Sequence, residues 1–299
     1  NSDLDSAILL YKTMGNFSPS SYPSKYRFSY GAVQALKADA KLWSAEVLGG
    51  GDADLNDAIT AINEVESTGV SLNADFKNVV GLRAPANPEI ILSAYYNRDE
   101  TGNNYAVNAL PFISIVQGAL NLDSIPYCFT SSYGQGAYQI SPLSKSLFDA
   151  YPDDKRIPFT WVTQRDPSGT GFSWITKYPG TKYSDDRIPD NDLIIYRLAD
   201  IYLMKAEAYA GLDQTDLAIQ YLDKVRERAD IPDYSSPVDK QSVEKAILDE
   251  RGRELYFENK RWYDLVRFYK NGTLDIYNYI PNLVGKTTPL YWLLYLTVL

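Results

Sequence analysis

Two pairs of adjacent aspartates are the residues of this chain whose type could support hydrolytic chemistry. Asp153-Asp154 and Asp185-Asp186 supply paired carboxylates, and glycoside hydrolysis uses two carboxylates held at a set separation. Neighbours in sequence seldom face each other, however, and both pairs lie in turn-like contexts, YPDDKR and YSDDRIP. We therefore expect turn and capping roles for these aspartates, and we predict that the chain is not an enzyme.

The sequence contains no histidine, and Cys128 is its single cysteine. Histidine-based acid–base catalysis, catalytic triads and histidine-ligated zinc are therefore excluded within this chain. An intrachain disulfide is excluded as well. Cys128 lies between Tyr127 and Phe129, a setting typical of a small buried hydrophobic residue rather than of a nucleophile.

Among known metal sites, a calcium loop is the one whose ligand spacing this sequence matches best. Asp52, Asp54 and Asn56 alternate as in an EF-hand, but Asp57 stands at the glycine position and Asn63 at that of the bidentate glutamate. A capped helix–helix turn is the favoured interpretation of this segment. We predict no metal and no cofactor.

Aromatic side chains in the irregular middle of the chain are the sharper functional candidates. The sequence has 25 tyrosines and 5 tryptophans against 2 methionines. A sugar ring has an apolar face and a rim of hydroxyls, so proteins hold it with an aromatic platform and nearby polar side chains. The candidate binding residues are Tyr95, Tyr96, Asn97, Arg98, Tyr133, Tyr138, Trp161 and Trp174. The alternative interpretation is that most of these rings cover the helices as core or filler.

The size and charge of the chain restrict its class. Its 299 residues, with 45% hydrophobic content, can bury a large core, and we predict a single domain over 1–299. A net charge of −9 disfavours nucleic acid and an anionic membrane as the main partner. The sequence has no apolar run of the roughly 18 residues that a membrane span requires. Its first residues are typical of a helix already under way rather than of a signal peptide.

Two helical hairpins of the tetratricopeptide type are predicted to form the scaffold that positions these residues. The first covers 30–68, with Ser29 as its cap, and the second runs from Asp192 to Asp230. The two share a pattern, in which Ala38-Asp39-x-x-Leu42-x-x-Ala45-Glu46 matches Ala199-Asp200-x-x-Leu203-x-x-Ala206-Glu207. Because the copies lie about 160 residues apart, we interpret them as two hairpins of one scaffold and not as a tandem array.

Capping signals place the later helices. Asp213 is predicted to cap the second helix of the second hairpin, and Pro237 to occupy the first position of the following helix. A short amphipathic helix from Arg261 to Tyr269 then completes the segment 192–269. The apolar stretch 290–299 is expected to pack on the core or to mark a truncated end.

Residues 70–190 differ in character from the helical segments. They are rich in Gly, Pro, Ser, Asn and Tyr, with short strand-like runs at 89–96, 157–163 and 172–178. We predict a loop-rich, ligand-facing lobe, since binding residues concentrate on loops held by a rigid scaffold. The fold class is therefore mainly α, with helix hairpins and a lobe of loops and short strands.

A charged segment near the end of the chain could be taken for an acid–base or anion site. Its residues are Glu250, Arg251, Glu254, Arg261, Asp264 and Arg267. At i, i+3 and i, i+4 spacing opposite charges pair locally, and arginine offers forked donors to carboxylates. We expect these residues, together with Arg197, Asp200 and Glu207, to form ion pairs that tie the last helix to the second hairpin.

Several segments of the chain match the motifs of one known protein family. The strongest match is Glu250-Arg251-x-Arg253-Glu254-Leu255-x-Phe257-Glu258-Asn259-x-Arg261-Trp262-x-Asp264-Leu265-Val266-Arg267. The second is Arg197-Leu198-Ala199-Asp200-Ile201-Tyr202-Leu203-Met204-x-Ala206-Glu207-Ala208, followed by Asp223-Lys224-Val225-Arg226-x-Arg228-Ala229. Weaker matches in the family's order are Arg27-x-Ser29-x-Gly31-Ala32, Pro88-Glu89-Ile90-Ile91 and Asp154-x-Arg156. On these motifs the chain resembles the SusD/RagB family of outer-membrane nutrient-binding lipoproteins.

The resemblance implies a SusD-like α-helical fold and a function without catalysis. It implies capture of a polysaccharide or similar oligomeric nutrient at the cell surface, and its delivery to a SusC-like TonB-dependent transporter of the outer membrane. Members of the family usually carry an N-terminal portion with a lipidated cysteine, which we do not find in this sequence. A membrane contact is therefore expected only through a lipid anchor that is not present in this chain.

A protein-interaction scaffold is the alternative function. Tetratricopeptide-like hairpins could bind protein alone, without a sugar site. An exposed aromatic cluster in the middle lobe favours glycan capture, whereas a polar lobe with an apolar groove on the hairpins favours the scaffold.

Overall fold

A computed structural model of the chain describes residues 2–14, 25–100, 105, 140–165, 171–184 and 187–284. Several positions discussed above lie outside these described residues, namely Cys128, Tyr133, Tyr138, Asp185, Asp186 and the stretch 290–299.

The described residues form a mainly helical protein with short strands. The helices are α1 Ser2–Met14, α2 Tyr30–Val47, α3 Gly51–Glu66, α4 Lys77–Gly81, α5 Pro142–Asp149, α6 Leu198–Gly211, α7 Thr215–Arg228, α8 Lys240–Glu254, α9 Arg261–Lys270 and α10 Ile276–Tyr279. The strands are β1 Ile90–Ala94, β2 Trp161–Arg165, β3 Gly171–Ile175, β4 Thr181–Lys182, β5 Arg187–Ile188 and β6 Leu193–Arg197. The prediction of a mainly α fold is therefore confirmed.

The chain divides into two compact units. The helical unit comprises Asn1–Ala74, Ala84–Ser93 and Ile194–Val298, and the loop-rich unit comprises Asp75–Arg83 and Ala94–Leu193. The single domain expected from the sequence, with its internal boundaries, stays a prediction.

Two helix pairs form the core of the helical unit, α2 with α3 and α6 with α7. The shared pattern explains their close packing, since its small and apolar positions Ala38, Leu42, Ala199, Leu203 and Ala206 are fully buried. Ser29 caps α2 as predicted, because its hydroxyl accepts a hydrogen bond from the amide of Ala32 at 3.2 Å.

The start of the second hairpin differs from the prediction. The segment from Asp192 was predicted as helix, but Leu193–Arg197 is strand β6, which pairs with β1, and α6 begins only at Leu198. An apolar run without clear periodicity fits a buried strand as well as a buried helix. Here the β-branched residues Ile194 and Ile195 favour the strand.

Two capping predictions are wrong for related reasons. Asp213 has a φ of 60° and follows the last turn of α6, so it ends that helix in the left-handed region and does not cap α7. Pro237 is not the first residue of α8, because Asp239 occupies the cap position and accepts a hydrogen bond from the amide of Ser242 at 3.0 Å. Aspartate serves both positions because its short side chain tolerates a left-handed backbone and caps helices.

Buried ion pairs connect the helices of this unit, as the sequence predicted for the charged segment. Arg197 bonds to Glu89 at 2.7 Å, to Glu254 at 2.5 Å and to Glu258 at 2.7 Å. Arg251 likewise bonds to Asp264 at 2.8 Å and Asp200 at 3.0 Å, and Arg267 to Glu207 at 2.5 Å. Most of these partners are distant in sequence, so the pairs hold separate segments of the helical unit together rather than single turns.

The pKa of Asp200 illustrates the balance within this network. Burial would raise the pKa of its carboxyl, but Lys260 and Arg251 lie close enough to lower that pKa to about 2. Its carboxyl is therefore ionised at neutral pH, beside the two cations Lys260 and Arg251.

The loop-rich unit contains helices α4 and α5 and two short antiparallel hairpins. Strands β2 and β3 pair with Trp161 opposite Ile175 and Val162 opposite Trp174. Strands β4 and β5 pair with Thr181 opposite Ile188. The predicted strand runs are present in shortened form, since Ile157–Phe159 is a 3-10 turn that precedes β2.

Candidate ligand-binding site

Four of the residues singled out from the sequence form one turn directly after β1. The side chain of Asn97 organises this turn, because its Oδ1 accepts hydrogen bonds from the amides of Asp99 and Glu100, both at 2.8 Å. Its Nδ2 also donates to the hydroxyl of Tyr95 at 2.9 Å. Asn97 therefore supports both the turn and the Tyr95 ring. Tyr95 itself is 46% exposed.

Arg83 fixes this turn from outside. One nitrogen, Nη1, donates to the carbonyl of Asp190 at 2.5 Å and to Oδ1 of Asp192 at 2.8 Å. The other, Nη2, donates to the carbonyl of Tyr96 at 2.7 Å. The guanidinium also lies 5.5 Å from the ring centroid of Tyr95, within the range of a cation–π contact.

A second tyrosine belongs to the same group of contacts. Tyr183 follows the hairpin strand β4 and donates its hydroxyl hydrogen bond to Oδ2 of the buried Asp190 at 2.7 Å. That hydrogen bond raises the pKa of the Tyr183 phenol, so the phenol stays protonated at neutral pH. The guanidinium of Arg98 lies over the Tyr183 ring, 4.5 Å from its centroid.

Gly180 allows the backbone approach that places Tyr183. Its φ is 67°, and a Cβ at this position would lie 2.3 Å from the carbonyl oxygen of Ile188. Its amide donates to Oδ1 of Asn191 at 2.5 Å, next to the aspartate that holds Tyr183. A residue with a side chain would force β4 away from β5, so glycine is required here.

The resulting cluster includes two tyrosine rings, Tyr95 and Tyr183, each with an arginine over its face. We call it the Tyr–Arg cluster, defined by Arg83, Tyr95, Tyr96, Asn97, Arg98, Tyr183, Asp190 and Asp192. Its two aspartates are buried, and they bond within the cluster, Asp192 to Arg83 and Asp190 to Tyr183. Tyr95 and Arg98 are exposed. The surface it offers is made of ring faces and hydrogen-bond donors, the groups that hold a polar ligand with an apolar face.

The tryptophans predicted as platforms do not lie in this cluster. Trp174 is 1% exposed, so its ring is part of the interior and cannot stack on a ligand from solvent. The prediction for Trp174 is therefore corrected, and the reason is that strand β3 turns this side chain inwards. Trp161 is half-buried, with the ammonium of Lys145 5.8 Å from its ring centroid, and its role stays a prediction.

The remaining candidates have the following places. Tyr133 and Tyr138 lie outside the described residues. Asp154 is buried and bonds to the Arg156 side chain at 2.7 Å, so it has a structural partner within its own turn. Asp54 lies in α3 and pairs with Lys41 at 2.6 Å, so the segment considered for calcium is helical.

Sequence reasoning missed half of the cluster. Arg83, Tyr183, Asp190 and Asp192 come from two segments that lie about a hundred positions apart, and a pattern within one short stretch cannot join them. The available signal was the excess of polar and aromatic residues in 178–192, which we interpreted only as turns.

Two features together define the class of this protein. One is a helical scaffold of tetratricopeptide-like pairs, and the other is a loop-rich unit that bears an exposed aromatic cluster. A family model described as "SusD family" matches residues 163–289. Over this part of its length the chain is similar to the SusD/RagB family. None of the helices in the described ranges has the length and apolar character of a membrane span.

Three similar proteins illustrate the extent of the match. SusD-like protein P38 of Formosa agariphila is 39% identical over 104 residues, which are 32% of this chain and 20% of that protein. The starch-binding protein SusD of Bacteroides thetaiotaomicron is 36% identical over 89 residues, 30% of this chain and 15% of that protein. The crystal structure of a SusD superfamily protein from Bacteroides fragilis gives a TM-score of 0.75 at 24% identity.

That structure is matched over 88% of this chain and 59% of its own length. The alignments with the two curated relatives cover a fifth or less of each of them. The fold agreement therefore extends over most of this chain, while the relatives are longer proteins.

Proposed function

We propose that this protein captures a glycan or similar oligomeric nutrient without catalysis. The observation that carries the proposal is the Tyr–Arg cluster, in which an exposed tyrosine ring lies beside arginine donors on the loop-rich unit. Similarity to the SusD/RagB family over residues 163–289 supports it, and one relative is named for starch binding. Capture would occur by ring stacking and hydrogen bonding, with no bond made or broken.

The proposed binding surface consists of Tyr95, Tyr96, Asn97 and Arg98, with Arg83 and Tyr183 added from the structure. Tyr133, Tyr138 and Trp161 remain proposed contacts. The exposed Tyr95 ring favours glycan capture over the protein-only scaffold, since it provides the aromatic surface in the middle of the chain that a scaffold would not need.

We further propose that the protein acts at the cell surface of the outer membrane and hands its ligand to a SusC-like TonB-dependent transporter. The family resemblance supports both statements. Co-purification with the transporter encoded in the same organism, in membranes solubilised with mild detergent, is the test of the partner.

Affinity electrophoresis against a panel of polysaccharides is the first test of capture. We expect one glycan class to retard the protein, with no reducing sugar released during prolonged incubation. Release of reducing sugar would contradict the non-catalytic proposal. Retardation by no member of the panel, together with binding of the transporter, would favour the protein-interaction scaffold.

A further inference from the structure

We propose that Arg83 is a ligand-binding residue of the Tyr–Arg cluster as well as the brace of its turn. This inference rests on the proposed function, since it assigns a role within the same site. No sequence pattern indicates Arg83 as a binding residue, and its importance follows from the contacts of its guanidinium.

The bracing role follows from where the three hydrogen bonds of Arg83 go. Two reach the segment of Asp190 and Asp192, and one reaches the carbonyl of Tyr96. A single planar group therefore connects the segment that holds Tyr183 to the turn that carries Tyr95. Lysine could not reproduce this bridge, because an ammonium lacks the planar fork of an arginine.

The binding role follows from the donors that remain. A guanidinium has five N–H donors, and the three hydrogen bonds of Arg83 leave two of them without a partner among the described residues. The Arg83 side chain is 42% exposed, so a ligand can reach these donors. They lie on the same planar group that contacts the ring of Tyr95, which is itself open to solvent.

At this position the Arg83 donors would bind oxygens of the ligand, next to the Tyr95 ring on which the ligand would stack. A ligand with an apolar face and an adjacent pair of oxygens satisfies both the Tyr95 ring and the Arg83 donors. Two sources supply that pair, namely vicinal hydroxyls of a neutral sugar and the carboxylate of a uronic acid. Both kinds of ligand share a pyranose ring that presents two oxygens along one edge.

The test compares Arg83→Gln and Arg83→Lys with a matched control, Arg187→Gln. Arg187 also lies in the loop-rich unit and donates to backbone carbonyls, those of Pro179 and Gly180. The probes are three neutral polysaccharides (starch, galactan and a β-glucan) and three acidic ones (polygalacturonate, alginate and hyaluronan). Dissociation constants are measured by calorimetry with oligosaccharides of the probe that the unmodified protein retains.

We expect Arg83→Gln to weaken binding of that probe at least about tenfold, whereas Arg187→Gln changes it less than about twofold. If the oxygens are those of a uronate, Arg83→Lys should retain part of the affinity, and added salt should weaken binding. If they are hydroxyls, Arg83→Lys should lose as much as Arg83→Gln, with little effect of salt. Equal affinities for Arg83→Gln and Arg187→Gln would overturn the binding role.

Hydrogen exchange of the Asp99 and Glu100 amides tests the brace without any glycan. These amides bond to Asn97 in the turn. We expect Arg83→Gln to accelerate their exchange and Arg187→Gln to leave it unchanged, and equal rates in both variants would overturn the bracing role.

If the unmodified protein binds no probe, the proposed function fails and the binding role of Arg83 fails with it. The exchange rates would still decide whether Arg83 braces the turn.

Discussion

Arginine serves two different purposes in the two units of this protein. In the helical unit Arg197, Arg251 and Arg267 are at most 2% exposed, and each bonds to carboxylates from other segments of the unit. In the loop-rich unit Arg83 and Arg98 are accessible and lie over tyrosine rings. The same side chain therefore stabilises the core in one unit and forms the candidate binding surface in the other.

This difference separates the residues that carry the family resemblance from those proposed to bind the ligand. The charged motifs that carry the family resemblance belong to the buried network, where the requirement is charge balance between helices. The Tyr–Arg cluster lies in a region of weak sequence pattern, as expected for a site carried by loops. The units should consequently respond to substitution in opposite ways.

The largest effect is expected when the buried network loses one cation. Arg197→Ala removes the buried cation that Glu89, Glu254 and Glu258 share, while Arg228 remains bonded to Glu89 and Glu254. Removal of one member of a buried ion pair costs roughly 3–5 kcal/mol, so we expect a loss of that order in the free energy of unfolding. Urea unfolding followed by circular dichroism measures it.

The matched control for Arg197→Ala is Arg98→Ala, which removes an exposed arginine. We expect Arg98→Ala to change the free energy of unfolding by less than about 0.5 kcal/mol and to weaken glycan binding. A comparable loss of stability in both variants would remove the distinction between the two kinds of arginine.

The next largest effect concerns the two tryptophans of the β2–β3 hairpin. Trp174 is buried, so Trp174→Ala should leave a cavity and lower the free energy of unfolding by about 3 kcal/mol. Trp161 is half-buried, so Trp161→Ala should cost about 1 kcal/mol. Thermal unfolding of both variants checks the order. Weaker ligand binding by a Trp174→Ala protein of unchanged stability would restore Trp174 as a platform.

Sequence reasoning succeeded where local spacing determines structure. The repeated Ala–Leu–Ala pattern predicted which faces of α2 and α6 are buried, and opposite charges in the motif predicted the ion pairs. It failed at Leu193–Arg197, where strand β6 depends on pairing with the distant strand β1. The site was half predicted for the same reason, since the Asn97 turn is local whereas Arg83 and Tyr183 reach it from other segments.

A third prediction compares two exposed tyrosines, one from each unit. Tyr95 is 46% exposed in the loop-rich unit, and Tyr263 is 52% exposed on α9 of the helical unit. We expect Tyr95→Ala to weaken glycan binding about tenfold through loss of ring contact, and Tyr263→Ala to have no such effect. Calorimetry with the retained polysaccharide decides between them.

Both tyrosine substitutions should leave stability nearly unchanged, because surface replacements rarely exceed about 0.5 kcal/mol. This makes the pair a clean comparison of residues with the same side chain and similar exposure. If Tyr263→Ala reduces binding as much as Tyr95→Ala, the binding surface is not confined to the loop-rich unit.

The smallest effect that we expect is a dependence of the free energy of unfolding on pH, and it arises from Glu46 in the helical unit. Burial raises the pKa of the Glu46 carboxyl to about 7, and the nearby charges of Glu207 and Glu244 act in the same direction. Because the pKa is higher in the folded state than in the unfolded state, the ionised form destabilises the fold. The contribution of this group to stability is fully present below pH 4.5, the ordinary value, and is lost as the pH rises through about 7.

Glu46→Gln removes this titration and keeps the shape of the side chain. We expect the variant to match the unmodified protein near pH 4.5 and to be more stable at pH ~8 by about 1 kcal/mol, less than the full pKa shift would give because Glu46 is partly exposed. Urea unfolding at both pH values measures the difference. A stability difference that is the same at both pH values would show that Glu46 does not titrate in this range. Glycan affinity should be equal in the two proteins at each pH, since the Tyr–Arg cluster contains no group of the helical unit.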